Sequence, residues 1–475
     1  MEPMRWLWMI WPLCLACTPA YAGLGMIVGD PLGTDAGLPS MPAQAWKGTP
    51  SLPALQPLAT WTAADAQKVW TLPELTAFAL AHNPQTAASW EALRAQAAAL
   101  GMAESAWLPS LTLSTGARRS QAVATAGFSV PARNIVNPSF TLSYTLWEFG
   151  LRRAKVDAAK AQEWVAGYTQ NQTLQTVIFN VTQAYYNLLG NQALLHADER
   201  SLAENEKAME AAEVLHRAGQ ATIGDLYQAR ASLAQARSTL ASQQQTVAAG
   251  LGALAAAIGI PPNSSIQIAQ LQWEEQRPPH LRQAVAELLQ AAEEANPALL
   301  AARAQLAAAQ ANVRSARASG LPSIGFTGTY GYQFQGGFQP GDTWSLGLSL
   351  TVPLFTGFNN HYDVRQTEAL ARQDAANLAN TRLNTLSTVW QDYHTFQGNV
   401  AAYPGAVASL ANARKALEVV LAQYKVGQAT IQDVLQAEST LSQARYTLID
   451  NLVKSYVGLA QLSQAVGMPL GDAQP

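Results

Sequence analysis

One stretch of the chain occurs twice, and this repeat constrains the fold more than any other feature of the sequence. Residues 215–237 and residues 423–445 are identical at twelve of twenty-three positions. In each copy a helical pattern runs into a glycine, where a left-handed backbone can end a helix. A Thr-x-x-Asp sequence follows three residues later and is typical of the capping box that starts a new helix. Each copy therefore predicts a helix–turn–helix tip, and two tips predict a duplicated structure.

The N-terminal 70 residues lie outside this repeat. Arg5 precedes the apolar run Trp6–Ala16, and an Ala-x-Ala sequence ends at Ala22. This is the pattern of a secretory signal peptide over residues 1–22. Residues 23–70 are rich in Pro and Gly without a period and predict an extended N-terminal arm. No other stretch has 18 uninterrupted apolar residues, so no membrane-spanning helix is predicted for the exported chain.

The two cysteines and the charge exclude several classes of function. Cys14 and Cys17 both lie inside the predicted signal peptide, so their spacing predicts neither a redox nor a metal site. Lipidation of Cys17 is an alternative to cleavage after Ala22, because the residues before it resemble part of a lipobox. Charged residues make up 13% of the chain and the net charge is −3, which provides no basic surface for nucleic acid.

Two pairs of segments have a period of two and predict β-hairpins. They are residues 110–120 with 139–147, and residues 323–334 with 344–353. Apolar residues alternate with Ser, Thr or Gly, which is typical of transmembrane β-barrel strands. A soluble β-sandwich also has alternating strands and is the alternative. On the barrel interpretation Thr141 and Ser143 face the lumen, and lipid is faced by Phe140, Leu142, Tyr144, Leu346, Leu348 and Leu350.

Each predicted hairpin is followed by a very long helical pattern. Apolar residues recur every seven positions in four segments, which are Val181–Met209, Leu226–Leu254, Val389–Leu417 and Val434–Leu462, the last interrupted only at Ser455. Sustained heptads predict left-handed coiled coils. The sequence thus predicts two helix–β-hairpin–helix repeats, residues 71–275 and 281–470, with helical tips at 216–225 and 424–433.

Four strands in one chain cannot close a transmembrane barrel, since the smallest bacterial barrels have eight. An open sheet edge inside the hydrocarbon would leave backbone groups unpaired at a cost of several kcal/mol each. The barrel interpretation therefore requires several copies of the chain.

The pattern resembles the TolC-like outer-membrane efflux proteins from residue 71 to residue 469. The motifs that carry the resemblance are Asn83-Pro84, Asn296-Pro297, Leu-Pro-Ser at 108–110 and 321–323, Pro353-Leu354-Phe355-x-Gly357, and Tyr424-x-x-Gly427-x5-Asp433-Val434-Leu435-x-Ala437. The resemblance implies a mainly α-helical homotrimer with a shared twelve-stranded barrel in the outer membrane of a Gram-negative bacterium. It also implies a periplasmic tunnel of helical hairpins that docks onto a periplasmic adaptor protein and an inner-membrane pump. No cofactor is implied, and drugs, metal ions, small molecules and polypeptides all remain open as exported substrates.

The resemblance also assigns roles at the two tips. Asp433 and Asp225 correspond to an acidic pore constriction, and the alternative is that both aspartates serve only in the capping boxes. Tyr424, Lys425 and Arg217 are expected to make closed-state contacts, and Thr222 and Thr430 to cap the helices. The residues expected to dock on the adaptor are Ala218, Gly219, Gln220, Val426, Gly427 and Gln428. This chain has Ala429 and Gln436 where well-studied members have an arginine and a second aspartate, so we expect fewer charged closed-state bonds and a less acidic constriction.

No pattern in the sequence indicates an enzyme. There is no phosphate-binding Gly-x4-Gly-Lys motif, no nucleophile elbow, and no pair of histidines at metal-ligand spacing. The leading interpretation is a passive export channel. The alternatives are a secreted coiled-coil adhesin anchored in the outer membrane, and the periplasmic adaptor itself, which has one helical hairpin between soluble β-domains.

Overall fold

The computed structural model describes residues 59–121, 132–269, 276–337 and 339–470. All of these residues belong to one structural unit, Leu58–Pro475. The predicted signal peptide and most of the predicted N-terminal arm lie outside the described residues.

Helices and strands alternate in a pattern that occurs twice. The helices are α1 (Ala63–Gln67), α2 (Leu72–His82), α3 (Pro84–Glu104), α4 (Leu151–Arg217), α5 (Ile223–Ile258), α6 (Val285–Ala295), α7 (Pro297–Ser319), α8 (Asn359–Lys425) and α9 (Ile431–Val466). The strands are β1 (Val69–Trp70), β2 (Ser110–Ser120), β3 (Arg133–Trp147), β4 (Gln267–Ile268), β5 (Ser323–Gln335) and β6 (Gly341–Thr351). Helices α2 to α5 with strands β2 and β3 form the first copy, and helices α6 to α9 with β5 and β6 form the second.

The long helices form two antiparallel hairpins, as the heptads predict. α4 and α8 each have 67 residues, and α5 and α9 each have 36. α4 packs on α5, α8 packs on α9, and α9 also packs along α4. Leucines and valines of the predicted heptads, such as Val181, Leu188 and Val389, are fully buried. Ser455 interrupts the heptad of α9 without disturbing it, because the serine is buried and its hydroxyl donates to the Asn451 carbonyl.

The two copies use the same joint between the end of a long hairpin and the shorter helix that precedes that hairpin in the chain. Asn83 caps the start of α3 and its side-chain amide also donates to the Ala257 carbonyl at 2.8 Å, near the end of α5. Asn296 caps α7 and donates to the Ala465 carbonyl at 2.8 Å. Each joint therefore ties the N-terminus of a short helix to the C-terminus of a long one and satisfies backbone groups at both ends.

The four long strands form an antiparallel sheet in the order β2-β3-β5-β6, and β1 and β4 form a separate parallel pair. The register aligns the four strands in rows, for example Thr112–Thr141–Thr329–Ser345 and Leu111–Leu142–Gly328–Leu346. Because successive side chains point to opposite faces, one face of the sheet is Ser and Thr and the other is apolar. The sheet is open, with β2 at one edge and β6 at the other. A single chain therefore leaves two edges available for pairing.

Two features differ from the sequence interpretation. β3 begins at Arg133, six residues before the predicted start at 139. Asn137 and Pro138 obscure the alternation of apolar and polar residues in the sequence. The pairing of β3 with β2 nevertheless continues through both residues as far as Arg133 and Ser120. Within the predicted arm, Thr62 and Asp65 form a capping box that starts α1, and Trp70 pairs in parallel with Ile268.

Candidate functional site

The two tips have the backbone geometry that the glycines predict. Gly219 has φ +72° and Gly427 has φ +77°. After each glycine an amide reaches back across the turn, from Gln220 to the Leu215 carbonyl at 2.8 Å and from Gln428 to the Gln423 carbonyl at 2.9 Å. These bonds close the ends of α4 and α8 as Schellman turns. The space around both glycines is open, since an added Cβ would meet nothing within 4 Å.

Both Thr-x-x-Asp sequences form complete capping boxes. The Thr222 backbone amide and hydroxyl donate to Asp225 Oδ2 at 2.8 and 2.9 Å, and the Asp225 amide donates back to the Thr222 hydroxyl at 3.2 Å. Thr430 and Asp433 repeat this, with distances of 2.8, 2.7 and 3.3 Å. Hydrogen bonds from the Thr430 hydroxyl and amide hold the pKa of the exposed Asp433 carboxyl below its usual value. Asp433 therefore stays ionised in neutral and mildly acidic solution.

Asp225 and Tyr424 lie close together although they belong to different hairpins. Tyr424 is 5% exposed, and its hydroxyl has no hydrogen-bond partner among the described residues. Burial raises the pKa of this hydroxyl, and the negative charge of Asp225 raises it further. The structure thus brings together two of the residues that were predicted to act at the closed tips.

A groove beside Tyr424 runs between the ends of α4 and α8. It has a volume of about 360 Å³ and is lined by Lys207, Glu210, Ala211, Val214, Leu215, Tyr424 and Lys425. Arg217 and Lys425, which were expected to make closed-state contacts, are both exposed. The predicted docking residues are also accessible at the turns, which comprise Ala218, Gly219, Gln220, Val426, Gly427 and Gln428. Val426, at the second turn, is 69% exposed.

The apolar face of the sheet is exposed across all four strands. Its exposed side chains include Leu111, Leu113, Phe140, Tyr330, Trp344, Leu346, Leu348 and Leu350. Isolated exposed apolar residues are ordinary, but a continuous apolar surface marks an interaction with lipid or protein. The opposite face carries Thr141 and Ser143 in rows of small polar side chains. This separation of faces agrees with the assignment made from the sequence.

Two further kinds of feature are absent from the described part of the chain. None of its helices is long and apolar enough to cross a membrane. No group of three or more His, Cys, Asp or Glu side chains there is arranged to hold a metal ion.

The sequence interpretation missed a group of charged residues between the hairpins, which combines a partly exposed ion pair with one buried carboxyl. Arg445 of α9 donates to both carboxyl oxygens of Glu204 on α4, at 3.1 and 3.0 Å. Glu438, two turns from Arg445 on α9, is buried. The sequence contains only one sign of this group of charged residues, which is a polar residue beside the apolar positions of a heptad. Residues at such positions are usually in contact with solvent.

Comparison with known proteins gives concordant results. The family model described as "Outer membrane efflux protein" matches residues 75–260 and 288–468. The protein CyaE of Bordetella pertussis is 30% identical over 436 residues, which cover 90% of this chain and 89% of that protein. The outer membrane efflux protein BepC of Brucella suis is 25% identical over 400 residues, covering 82% of this chain and 84% of BepC. The crystal structure of the outer membrane protein VceC from Vibrio cholerae superimposes with a TM-score of 0.75 at 23% identity, covering 84% of this chain and 96% of VceC.

Proposed function

Because the chain belongs to the outer membrane efflux protein family, we propose that it is the outer-membrane channel of a tripartite efflux or secretion system. Members of this family are outer-membrane channel proteins and not enzymes. The observation that supports the proposal most directly is one sheet with an exposed apolar face in the same chain as two long helical hairpins. The sheet provides a surface for lipid, and the hairpins provide the wall of a tunnel.

Three copies of the chain would close the barrel. The open sheet contributes four strands, so a trimer has twelve, within the range of bacterial barrels. Pairing β6 of one copy with β2 of the next removes every edge from the hydrocarbon. The Ser and Thr face then lines the lumen, which suits a passive conduit because it binds no substrate class strongly. Energy for export would come from an inner-membrane pump that reaches the channel through a periplasmic adaptor.

The tips are the proposed periplasmic gate. Tyr424 of one hairpin lies near Asp225 of the other, which supports a closed arrangement of the two tips within the chain. Gly219 and Gly427 present open turns with exposed flanking residues, and these turns are where we place adaptor contacts. Movement of the hairpins apart would open the tunnel.

Solute flux through liposomes distinguishes a channel from an adhesin. Liposomes containing the purified protein should release a trapped small dye and retain a trapped protein, because a tunnel has a limiting width. Protein-free liposomes are the control. If dye is retained at every protein density, the channel function is wrong and the adhesin is favoured.

Asp433→Asn tests whether this carboxylate lines the constriction or only caps α9. Asn keeps a side-chain acceptor for the helix N-terminus and removes the charge of three carboxylates in a trimer. If the carboxylates line the pore, we expect weaker cation preference and less block by multivalent cations, because rings of Asp select cations. Stability should change little, because Asn still accepts the hydrogen bonds of the helix N-terminus. The measurement is the reversal potential of single channels in a salt gradient.

Asp65→Asn is the matched control for this test, since Thr62 and Asp65 form the same capping box at α1, outside the tips. It should leave the reversal potential unchanged. A reversal potential that is also unchanged in Asp433→Asn would limit Asp433 to the role of a helix cap.

A further inference from the structure

A buried carboxyl lies between the two long hairpins, close to the tips. Glu438 on α9 is 3% exposed, and neither of its carboxyl oxygens has a hydrogen-bond partner among the described residues. An ionised carboxylate without a partner is costly to remove from water, so such a group is held in its neutral form. Burial, together with the nearby charge of Glu204, raises the pKa of the Glu438 carboxyl to about 7.

Glu438 borders a polar cavity of about 290 Å³ that is lined by α4, α5 and α9. α4 contributes Asp198, whose pKa is also raised by burial. α5 contributes only uncharged side chains, including Ser232, whose hydroxyl donates to Asn205 Oδ1 on α4 at 2.6 Å. The cavity therefore lies at the joint between the first hairpin and α9 of the second, and it is large enough for several water molecules.

The neighbouring side chains make no hydrogen bond to either Glu438 oxygen, and the buried Nε of Arg445 is likewise without a partner among the described residues. On α4 the carboxylate of Glu204 is already bound to Arg445 of α9. The residues of α8 that lie about as far from the tip as Glu438 include the buried Ala413 and Leu417. The charged residues of the same part of α8 are exposed, and they are Arg414, Lys415 and Glu418. Loss of the Glu438 proton would thus place a second negative charge beside Glu204 in the joint.

A metal ion does not fit this position as well as a proton does. Both Glu438 oxygens are sealed from the cavity by packing, and the described residues contain no cluster of three metal-ligating acidic or histidine side chains. A proton can bind to the carboxyl without an open path of the width that a metal ion requires, and it needs no further ligands.

We propose that Glu438 binds a proton that keeps the two hairpins packed together near the tips, and that loss of this proton favours the open channel. The inference rests on the proposed channel function. When the proton leaves, the carboxylate must acquire water, which the adjacent cavity can supply only if α9 moves away from α4 and α5. Repulsion from Glu204 acts in the same direction. The joint is therefore closed in acid and loosened as the pH rises through neutrality.

The experiment compares the wild-type protein with Glu438→Gln, which is neutral at every pH and nearly the same shape. We expect the ratio of open to closed time of wild-type single channels to rise between pH 5.5 and pH 8.5, by at most about tenfold per pH unit for each proton released. The Gln variant should stay near the acid value throughout. Amide hydrogen exchange in residues 435–445 should accelerate over the same pH range beyond the intrinsic chemical rate, in the wild type only.

Asp392→Asn is the matched control. Asp392 is also a buried carboxyl with a pKa raised by burial, but it accepts a hydrogen bond from Gln461 and lies within one hairpin, between α8 and α9. This variant should keep the wild-type pH dependence. Equal pH dependence of opening in wild type and Glu438→Gln would overturn the proposal, as would a change in exchange without any change in opening. Absence of conductance at every pH would contradict the channel function instead, and the exchange data would still decide whether Glu438 controls the joint.

The pH dependence of stability gives an independent readout with a defined sign. The folded state holds the Glu438 proton more tightly than the unfolded chain does, because the pKa rises from 4.5 to about 7 on folding. This group therefore weakens folding progressively as the pH rises from about 4.5 to about 7. Glu438→Gln should remove this part of the decline in thermal stability, and an unchanged decline would count against the burial of an uncompensated carboxyl.

Discussion

Leu346→Lys should prevent stable assembly of the protein in a membrane, whereas Ser345→Lys should allow it. Leu346 is the central residue of β6, and its side chain is 69% exposed on the apolar face. A lysine on the lipid face near the middle of a bilayer costs about 2–4 kcal/mol, and a trimer contains three copies. Ser345 is the adjacent residue and belongs to the row with Thr329 on the small polar face, where a lysine reaches water in the lumen.

The measurement is the yield of folded, protease-resistant protein in outer membranes for each variant. Because the two substitutions introduce the same residue at neighbouring positions of one strand, their effects on synthesis should be similar. Equal loss of assembly in the two variants would contradict the assignment of faces, and with it the membrane role of the sheet.

Gly467→Ala should destabilise the fold far more than Gly427→Ala. Gly467 ends α9 with φ +93°, and an added Cβ would lie 2.7 Å from both the Ala295 carbonyl oxygen and the Asn296 Cα. A left-handed backbone costs a non-glycine residue about 1–2 kcal/mol. Overlap with backbone atoms that cannot rotate away should add about 1–3 kcal/mol, because the joint to α7 would have to separate.

Gly427→Ala is the control, since this glycine is also left-handed but has open space around it. This substitution should lower the free energy of unfolding only by the cost of a left-handed backbone at alanine, about 1–2 kcal/mol. The melting temperatures of the two variants in detergent make the comparison. Equal melting temperatures would show that the contact between α9 and the start of α7 does not contribute to stability.

The sequence was sufficient for the features that depend on local pattern. The heptads were enough to predict the long helices, because the apolar stripe of a helix must be buried whichever segment covers it. The tips were predictable because Gly427 and the Thr430–Asp433 box act within six residues of one another. The faces of the strands were predictable because alternation alone assigns them.

The features that were missed depend on contacts between distant segments. Gly467 resembles any helix-ending glycine until α7 is placed against it. Glu438 resembles a surface residue until α4, more than 200 residues away in sequence, covers that flank of α9. A polar residue becomes buried here through packing of one hairpin on the other, and no local pattern encodes that contact.

Single-channel recording in planar bilayers, using protein whose native mass in detergent has been measured, tests the channel most directly. We expect three copies per particle and discrete, uniform conductance steps from these particles. A stable monomer with its full β-content, or trimers that never conduct, would contradict the claim that three chains form one channel through the outer membrane.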